Sequence, residues 1–229
     1  MTNKSLIIGS GEIGKALFNI LKPHYVTLIR DRIGNKTSAE RNIDIIHICF
    51  PYSDEFIEDV KDYQEQYQPR YTIIHSTVPV GTSRKCDAIH SPIRGMHPNL
   101  EDDIQHFVKF LGGEQASQVA DYFRRANIKI QLCEKSETTE LAKILSTTRY
   151  GIDIEFCKEV DELCKNNNVP FSEVYTLFTQ TYNQGYSDKG YPEYCRSILQ
   201  PIQTKIGGHC VCPNLELLKS KFTNFLKNI

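Results

Sequence analysis

The stretch Ile7-Ile8-Gly9-Ser10-Gly11-Glu12-Ile13-Gly14 decides the fold that this sequence predicts. It contains the pattern G-x-G-x-x-G, which lies directly after a predicted apolar strand, Ser5–Ile8, and at the start of a predicted helix, Ile13–Leu21. In that context the first glycine permits a tight turn, the second lets backbone approach a pyrophosphate, and the third lets the helix pack on the strand. The helix N-terminus, whose dipole favours anions, then holds the phosphates. We therefore expect all six residues from Gly9 to Gly14 to bind a dinucleotide.

Short apolar strands alternate with helical segments through the first half of the chain. The predicted strands are Ser5–Ile8, Val26–Ile29, Ile43–Phe50, Tyr71–His75, Phe107–Leu111 and Ile128–Leu132. Strands that are apolar on both faces and alternate with helices indicate an α/β protein with a doubly wound, mostly parallel sheet. We predict a dinucleotide-binding Rossmann domain over residues 1–135.

The second half has a different character, because one helical pattern continues from Ser136 to Asn167. At 1.5 Å for each residue this helix is roughly 45 Å long. A helix of that size beside a single sheet domain leaves apolar surface exposed in a monomer. We predict that residues 136–229 form a helical lobe for substrate binding and dimerisation, with a homodimer formed through the 136–167 helix.

The composition of the chain argues against several classes of function. The chain has 27 Lys and Arg against 28 Asp and Glu, a net charge of −1, which argues against nucleic-acid and membrane-surface partners. The N-terminus has no signal-peptide pattern, and the eight cysteines are interpreted as free thiols of a reducing cytosol. Cys210 and Cys212 are too close for a usual zinc pair, so we predict no metal. We expect a cytoplasmic protein with a small-molecule substrate.

The cofactor is predicted from the residues that end the strands. Asp31 follows the second strand about 20 residues after the glycine turn, where an acid accepts the adenosine ribose hydroxyls of NAD. Arg30 and Arg32 flank it, and a guanidinium there receives the 2′-phosphate of NADP. The sequence favours NAD and leaves NADP open. We also expect Pro51, Ser76 and Thr77 to contact the cofactor, because ligands bind at the carboxyl ends of the strands.

Three further segments carry candidate chemistry. They are His75–Thr82 (HSTVPVGT), Glu140–Thr147 (ELAKILST) and Ile206–Asn214 (IGGHCVCPN). Their order resembles the nucleotide-sugar 6-dehydrogenases, such as UDP-glucose and UDP-mannosamine dehydrogenases, within a wider superfamily of 6-phosphogluconate, 3-hydroxyacid and prephenate dehydrogenases. The resemblance runs from Ser5 to about Asn214 and includes Ser91-Pro92-Ile93-Arg94 and Arg196–Pro201 (RSILQP).

The resemblance implies an NAD(P)-dependent oxidation of a CH–OH group, in the family a primary alcohol oxidised to a carboxylate by two hydride transfers. It implies that Cys210 is the thiol nucleophile that captures an aldehyde, and that Lys143 stabilises the developing oxyanion. Thr77 matches a hydroxyl that orders water near the site. Thr147 lies on the same helix face as Lys143, four residues later, where the family carries asparagine. Arg196, His209 and Asn214 are the expected substrate-binding residues, with Arg196 binding an anion.

This sequence departs from the family at two further positions. Ile93 replaces the glutamate of the family's S-P-E-R segment, and Asn214 replaces the acid four residues after the cysteine. The printed chain ends shortly after the cysteine turn, so we expect a relative without the family's second nucleotide-binding domain.

Competing interpretations remain open. Gly95-Met96-His97-Pro98 resembles the G-x-H-P segment of prephenate dehydrogenases, in which His97 would be the general base. The 3-hydroxyacid dehydrogenases use a lysine on the first long helix, and Lys143 fits that role as well. A dinucleotide-binding protein without turnover is the third interpretation. His47 and His75 lie in buried strands and are interpreted as core histidines.

Overall fold

The structure, a computed structural model, describes residues 4–31, 42–96, 98–202, 214 and 216–218. In this part of the chain seven strands form one sheet in the order β2-β1-β3-β4-β5-β6-β7. The strands are β1 Lys4–Ile8, β2 Val26–Arg30, β3 Ile45–Ile48, β4 Tyr71–Ile74, β5 Ile89–His90, β6 Lys109–Gly112 and β7 Ile130–Cys133. The helices are α1 Glu12–Leu21, α2 Phe56–Tyr67, α3 Thr82–Lys85, α4 Leu100–His106, α5 Ala120–Arg125, α6 Ser136–Asn166 and α7 Phe178–Asp188.

The first five strands pair in parallel in the order β2-β1-β3-β4-β5, which confirms the predicted doubly wound α/β sheet. β5 and β6 are antiparallel and meet at His90 and Gly112, whereas β6 and β7 are again parallel. Sequence patterns did not predict β5, α3 or α4, because each is too short to show a period. The carboxyl ends of β1, β3 and β4 lie at one edge of the sheet, where the predicted site residues follow them.

Two apolar layers cover the sheet because alternate strand residues point to opposite faces. Ile7 and Ile45 pack on one face with Leu17 of α1, in a cluster that includes Phe123 of α5. A second apolar cluster covers the other face and contains Leu6, Ile8, Ile46 and Ile48 with Phe56 and Val60 of α2. The first turn of α1 and the residues after β1 are therefore fixed by packing on both sides of β1.

The chain divides into two compact units, Met1–Lys143 and Ile144–Ile229, within α6. The predicted domain boundary between residues 135 and 136 lies at the first residue of this helix and stays a prediction. In the second unit a π-helical segment, Ser172–Leu177, leads into α7, and a 3-10 turn follows at Pro192–Tyr194. Among the described helices, none combines the length and apolar character needed to cross a membrane.

Candidate functional site

The glycine turn after β1 has the shape that close backbone packing requires. Gly9 has φ +107°, and a Cβ there would lie 2.8 Å from the carbonyl carbon of Cys49. A Cβ on Gly14 would lie 1.8 Å from the carbonyl oxygen of Gly9, so α1 approaches the turn at a distance that only glycine permits. The Gly9 N–H donates to the Arg30 carbonyl at 2.9 Å, which ties the turn to the end of β2.

Gly11 differs from the other two glycines because it faces open space. It is the N-cap of α1 with extended backbone, and no side chain caps the helix there. A Cβ on Gly11 would meet nothing within 4 Å. Ser10 and Ile13 are half-buried and Glu12 is exposed. The start of α1 is therefore open at Gly11, as the binding of a phosphate by the first-turn N–H groups requires.

The end of β2 presents two charges of opposite sign. Asp31 is exposed, directly after the strand. Arg30 is half-buried, and its Nη1 donates to the Tyr67 hydroxyl on α2, while its guanidinium lies 5.9 Å from the Tyr63 ring centroid. The two candidate residues for the adenosine ribose therefore differ in position, because Arg30 packs against α2 and Asp31 is exposed.

Pro51, Ser76 and Thr77 follow β3 and β4 at the same edge of the sheet. Pro51 is exposed and Thr77 is half-buried. Ser76 is buried, and its hydroxyl donates to the Phe50 carbonyl at 2.5 Å. Because that bond links the two loops, Ser76 supports the position of Pro51 and Thr77.

Glu140, the first residue of the segment ELAKILST, fixes the loop that carries Thr77. Its carboxylate is fully buried and accepts the Gly81 N–H at 2.6 Å and the Ser83 N–H at 2.7 Å. Burial raises the pKa of Glu140, and the two N–H donors oppose that rise. The signal that could have identified it is a glutamate within an apolar helix face, since a buried carboxylate requires donors.

Lys143 lies one helical turn after Glu140. Its Nζ donates to the Ile93 carbonyl at 2.8 Å. The Ser91–Arg94 segment therefore meets α6 through a backbone carbonyl, while the Ile93 side chain is buried in the core. An apolar residue therefore stands beside Lys143 at the position where the resembling family carries glutamate.

Two other predicted residues meet in the second unit. The Asn214 Nδ2 donates to the Thr147 Oγ1 at 3.3 Å, and the Thr147 hydroxyl donates in turn to the Ile144 carbonyl at 2.9 Å. Both side chains are uncharged. The two positions at which the sequence replaces an asparagine and an acid of the resembling family are thus hydrogen-bonded to each other.

Arg196 is exposed and its backbone is fixed. Asn183 on α7 accepts the Arg196 N–H at 2.8 Å and donates to its carbonyl at 2.9 Å. The guanidinium lies 4.0 Å from the Tyr182 ring centroid, a cation–π geometry. This arrangement presents a held guanidinium to solvent, which suits the anion-binding role predicted for Arg196.

A chain of hydrogen bonds crosses the buried sheet and includes the two predicted core histidines. The His75 Nδ1 lies 2.8 Å from the Ser91 carbonyl oxygen, which only accepts, so that nitrogen donates. The His75 Nε2 then accepts from the His47 Nδ1 at 2.9 Å, and the His47 Nε2 accepts from the Tyr122 hydroxyl at 3.1 Å. The interpretation of His47 and His75 as satisfied core residues is confirmed.

Lys109 adds a buried amine to this chain and was not predicted. It is 4% exposed, and its Nζ lies 3.1 Å from the Ser91 carbonyl oxygen and 3.3 Å from the His75 Nδ1. Burial lowers the pKa of Lys109 to about 7, and it lowers the pKa of His47 and of His90 to about 3. The sequence signal was a lysine in the middle of the apolar segment Phe107–Leu111.

His97, His209 and Cys210 lie outside the described residues, and so does Arg32. Their predicted roles stay predictions. Within the described residues no group of three or more His, Cys, Asp or Glu side chains is arranged to hold a metal ion.

Comparisons with solved structures place the fold. A UDP-D-ManNAc dehydrogenase from Pyrococcus horikoshii is similar with TM-score 0.78 at 16% identity, covering 98% of this chain and 67% of that one. A 3-hydroxyisobutyrate dehydrogenase from Mycobacterium tuberculosis has TM-score 0.73 at 12% identity, covering 100% and 92%. A UDP-N-acetyl-mannosamine dehydrogenase from Staphylococcus aureus has TM-score 0.71 at 17% identity, covering 99% and 68%. No family model and no curated protein matches the chain. The resemblance noted in the sequence is confirmed at the level of the fold.

Proposed function

We propose that this protein is an NAD(P)-dependent oxidoreductase that acts on a CH–OH group, with NAD as the favoured cofactor. The observation that carries the proposal is the glycine turn, in which Gly9 and Gly14 permit close packing and Gly11 leaves space before the α1 N-terminus. The pyrophosphate would bind there, and the exposed Asp31 would accept the ribose hydroxyls. The bound cofactor would supply the hydride acceptor.

The chemistry in this proposal centres on Lys143. Its ammonium, held by the Ile93 carbonyl, would stabilise the negative charge that develops on the substrate oxygen as its proton leaves. Thr77, on the loop fixed by Ser76 and Glu140, would orient water or the substrate hydroxyl. Cys210 remains the proposed nucleophile for a second oxidation step, and His209, Thr147 and Asn214 remain proposed substrate contacts.

A second candidate is a single hydride transfer on a small hydroxy acid. Its support is the uncharged Thr147–Asn214 pair and the buried, apolar Ile93 side chain. A reaction that ends at a carbonyl needs no carboxylate to hydrolyse a thioester, so these residues suit it. Arg196 would bind the substrate carboxylate. In the prephenate-type form of this candidate, His97 would act as the general base.

We also propose the homodimer through the long helix, in the cytoplasm. Large apolar side chains are exposed in the second unit, with Phe156 on α6 at 61% and Phe178 on α7 at 69%. Apolar surface of this kind marks an interaction site. The six described cysteines are free, which agrees with a reducing compartment. Light scattering coupled to size exclusion measures the mass, and a monomer at micromolar concentration would contradict the dimer.

The test of the function titrates NADH and NADPH and then screens UDP-sugars and small hydroxy acids for NAD(P)H formation. Gly11→Val fills the open space at the α1 N-terminus and should weaken cofactor binding at least tenfold with only a small change in the melting temperature, since a Cβ there would meet no protein atom within 4 Å. Gly185→Ala on α7 also faces open space and serves as the control. Absence of binding by the wild-type protein would refute the enzyme proposal; binding without turnover would favour the non-catalytic interpretation.

A further inference from the structure

Arg30 at the end of β2 is oriented by two tyrosines of α2. Its Nη1 donates to the Tyr67 hydroxyl, and its guanidinium lies 5.9 Å from the centroid of the Tyr63 ring. Tyr67 is 6% exposed and packs in the apolar cluster on the α2 face of the sheet. The Arg30 side chain is therefore directed along that face, although its backbone carbonyl accepts the Gly9 N–H of the glycine turn.

The direction of this side chain matters because a guanidinium and a carboxylate select different adenosines. A guanidinium near the end of the second strand forms paired hydrogen bonds with a 2′-phosphate, whereas a carboxylate accepts the ribose hydroxyls and repels that phosphate. Arg30 and Asp31 are adjacent, so both types of group occur at the end of β2. Asp31 is exposed beside the turn, while Arg30 is half-buried against α2.

We infer that Tyr67 is a specificity-determining residue for the dinucleotide, because its hydroxyl holds the Arg30 guanidinium on the α2 face and leaves Asp31 to meet the ribose. Tyr67 acts through Arg30 and is a positioning residue. A phenylalanine would fill the same apolar site, so the hydroxyl is separable from the packing. The inference rests on the proposed dinucleotide-binding function.

The experiment measures dissociation constants for NADH and NADPH by calorimetry with the wild-type chain, Tyr67→Phe, and Tyr67→Phe combined with Arg30→Met. Tyr25→Phe is the matched control, since it also removes one hydrogen-bonded hydroxyl, which donates to the Tyr122 carbonyl at 2.9 Å on the opposite face of the sheet. Melting temperatures of all variants are recorded, so that a loss of folding is separated from a change in preference.

We expect the wild-type chain to bind NADH more tightly than NADPH. Loss of one charge-assisted hydrogen bond should let Tyr67→Phe shift the ratio of the two constants toward NADPH by at least about fivefold. Tyr25→Phe should leave the ratio unchanged, and adding Arg30→Met should cancel the shift.

Equal ratios for Tyr67→Phe and Tyr25→Phe would overturn the inference and leave the proposed function intact. A wild-type preference for NADPH would overturn it as well, because Asp31 would then not meet the ribose. If the wild-type chain binds neither cofactor, the proposed function fails first and the inference fails with it.

Discussion

Lys109→Met tests whether the buried amine in the sheet lowers the stability of the folded chain. Lys109 is 4% exposed, and burial lowers its pKa from 10.5 to about 7. The unfolded chain therefore binds more protons between these two values, and stability rises with pH across that window. At about 1.4 kcal/mol for each pH unit, burial of the protonated lysine lowers the free energy of unfolding by about 5 kcal/mol below pH 7. This cost vanishes above pH 10.5, where the lysine is neutral in both states.

Methionine removes this cost and has a similar length. It also removes a hydrogen bond to the Ser91 carbonyl, which still accepts from His75. After about 1 kcal/mol for that bond and about 1 kcal/mol for imperfect packing, the expected gain at pH 7 is about 2–3 kcal/mol. The sign is diagnostic, because most substitutions of a core residue destabilise.

Urea unfolding followed by far-UV circular dichroism measures the effect, since the chain has no tryptophan. The window ends at pH 8.5, because burial raises the pKa of the Cys49 thiol from 9.0 to about 12, and ionisation of that thiol in the unfolded chain increasingly opposes the rise in stability at higher pH. The wild-type free energy of unfolding should rise by about 1 kcal/mol for each pH unit and that of Lys109→Met should rise much less. Lys129→Met, at an exposed position, is the control. A pH slope shared by wild type and Lys109→Met would refute the reasoning.

Three more predictions address other parts of the molecule. Glu140→Gln replaces one acceptor by an amide donor, so it should lower the free energy of unfolding by about 2 kcal/mol and reduce kcat more than KM. An equal kcat in the variant and the wild type would contradict the anchoring role. Because burial lowers the pKa of His47 and of His90 from 6.5 to about 3, stability should fall as pH decreases from 6.5 toward 3, and a constant urea midpoint across that range would exclude these buried neutral rings. Asn183→Ala frees the backbone of Arg196 and should raise KM for an anionic substrate severalfold with kcat little changed, as steady-state kinetics would show; a reduced kcat at unchanged KM would argue against a binding role.

The sequence predicted the parts of the fold that have a strong local pattern. The glycine turn and the apolar strands are local signals, and the sheet followed from them. The antiparallel pairing of β5 with β6 was not predictable, since β5 has only two residues, Ile89 and His90. The candidate site shows the same division. A motif was enough to propose Lys143 and Thr147, whereas the Glu140 contacts join residues 57 and 59 positions apart, a relation that no spacing rule reveals.

The way in which Glu140 holds its loop has a consequence for sequence divergence. Its two carboxylate oxygens accept from the peptide N–H groups of Gly81 and Ser83, so most residues at position 83 keep that contact and proline does not. The conformation of this loop therefore depends on the carboxylate at position 140 and on backbone donors, and depends little on which side chains the loop carries.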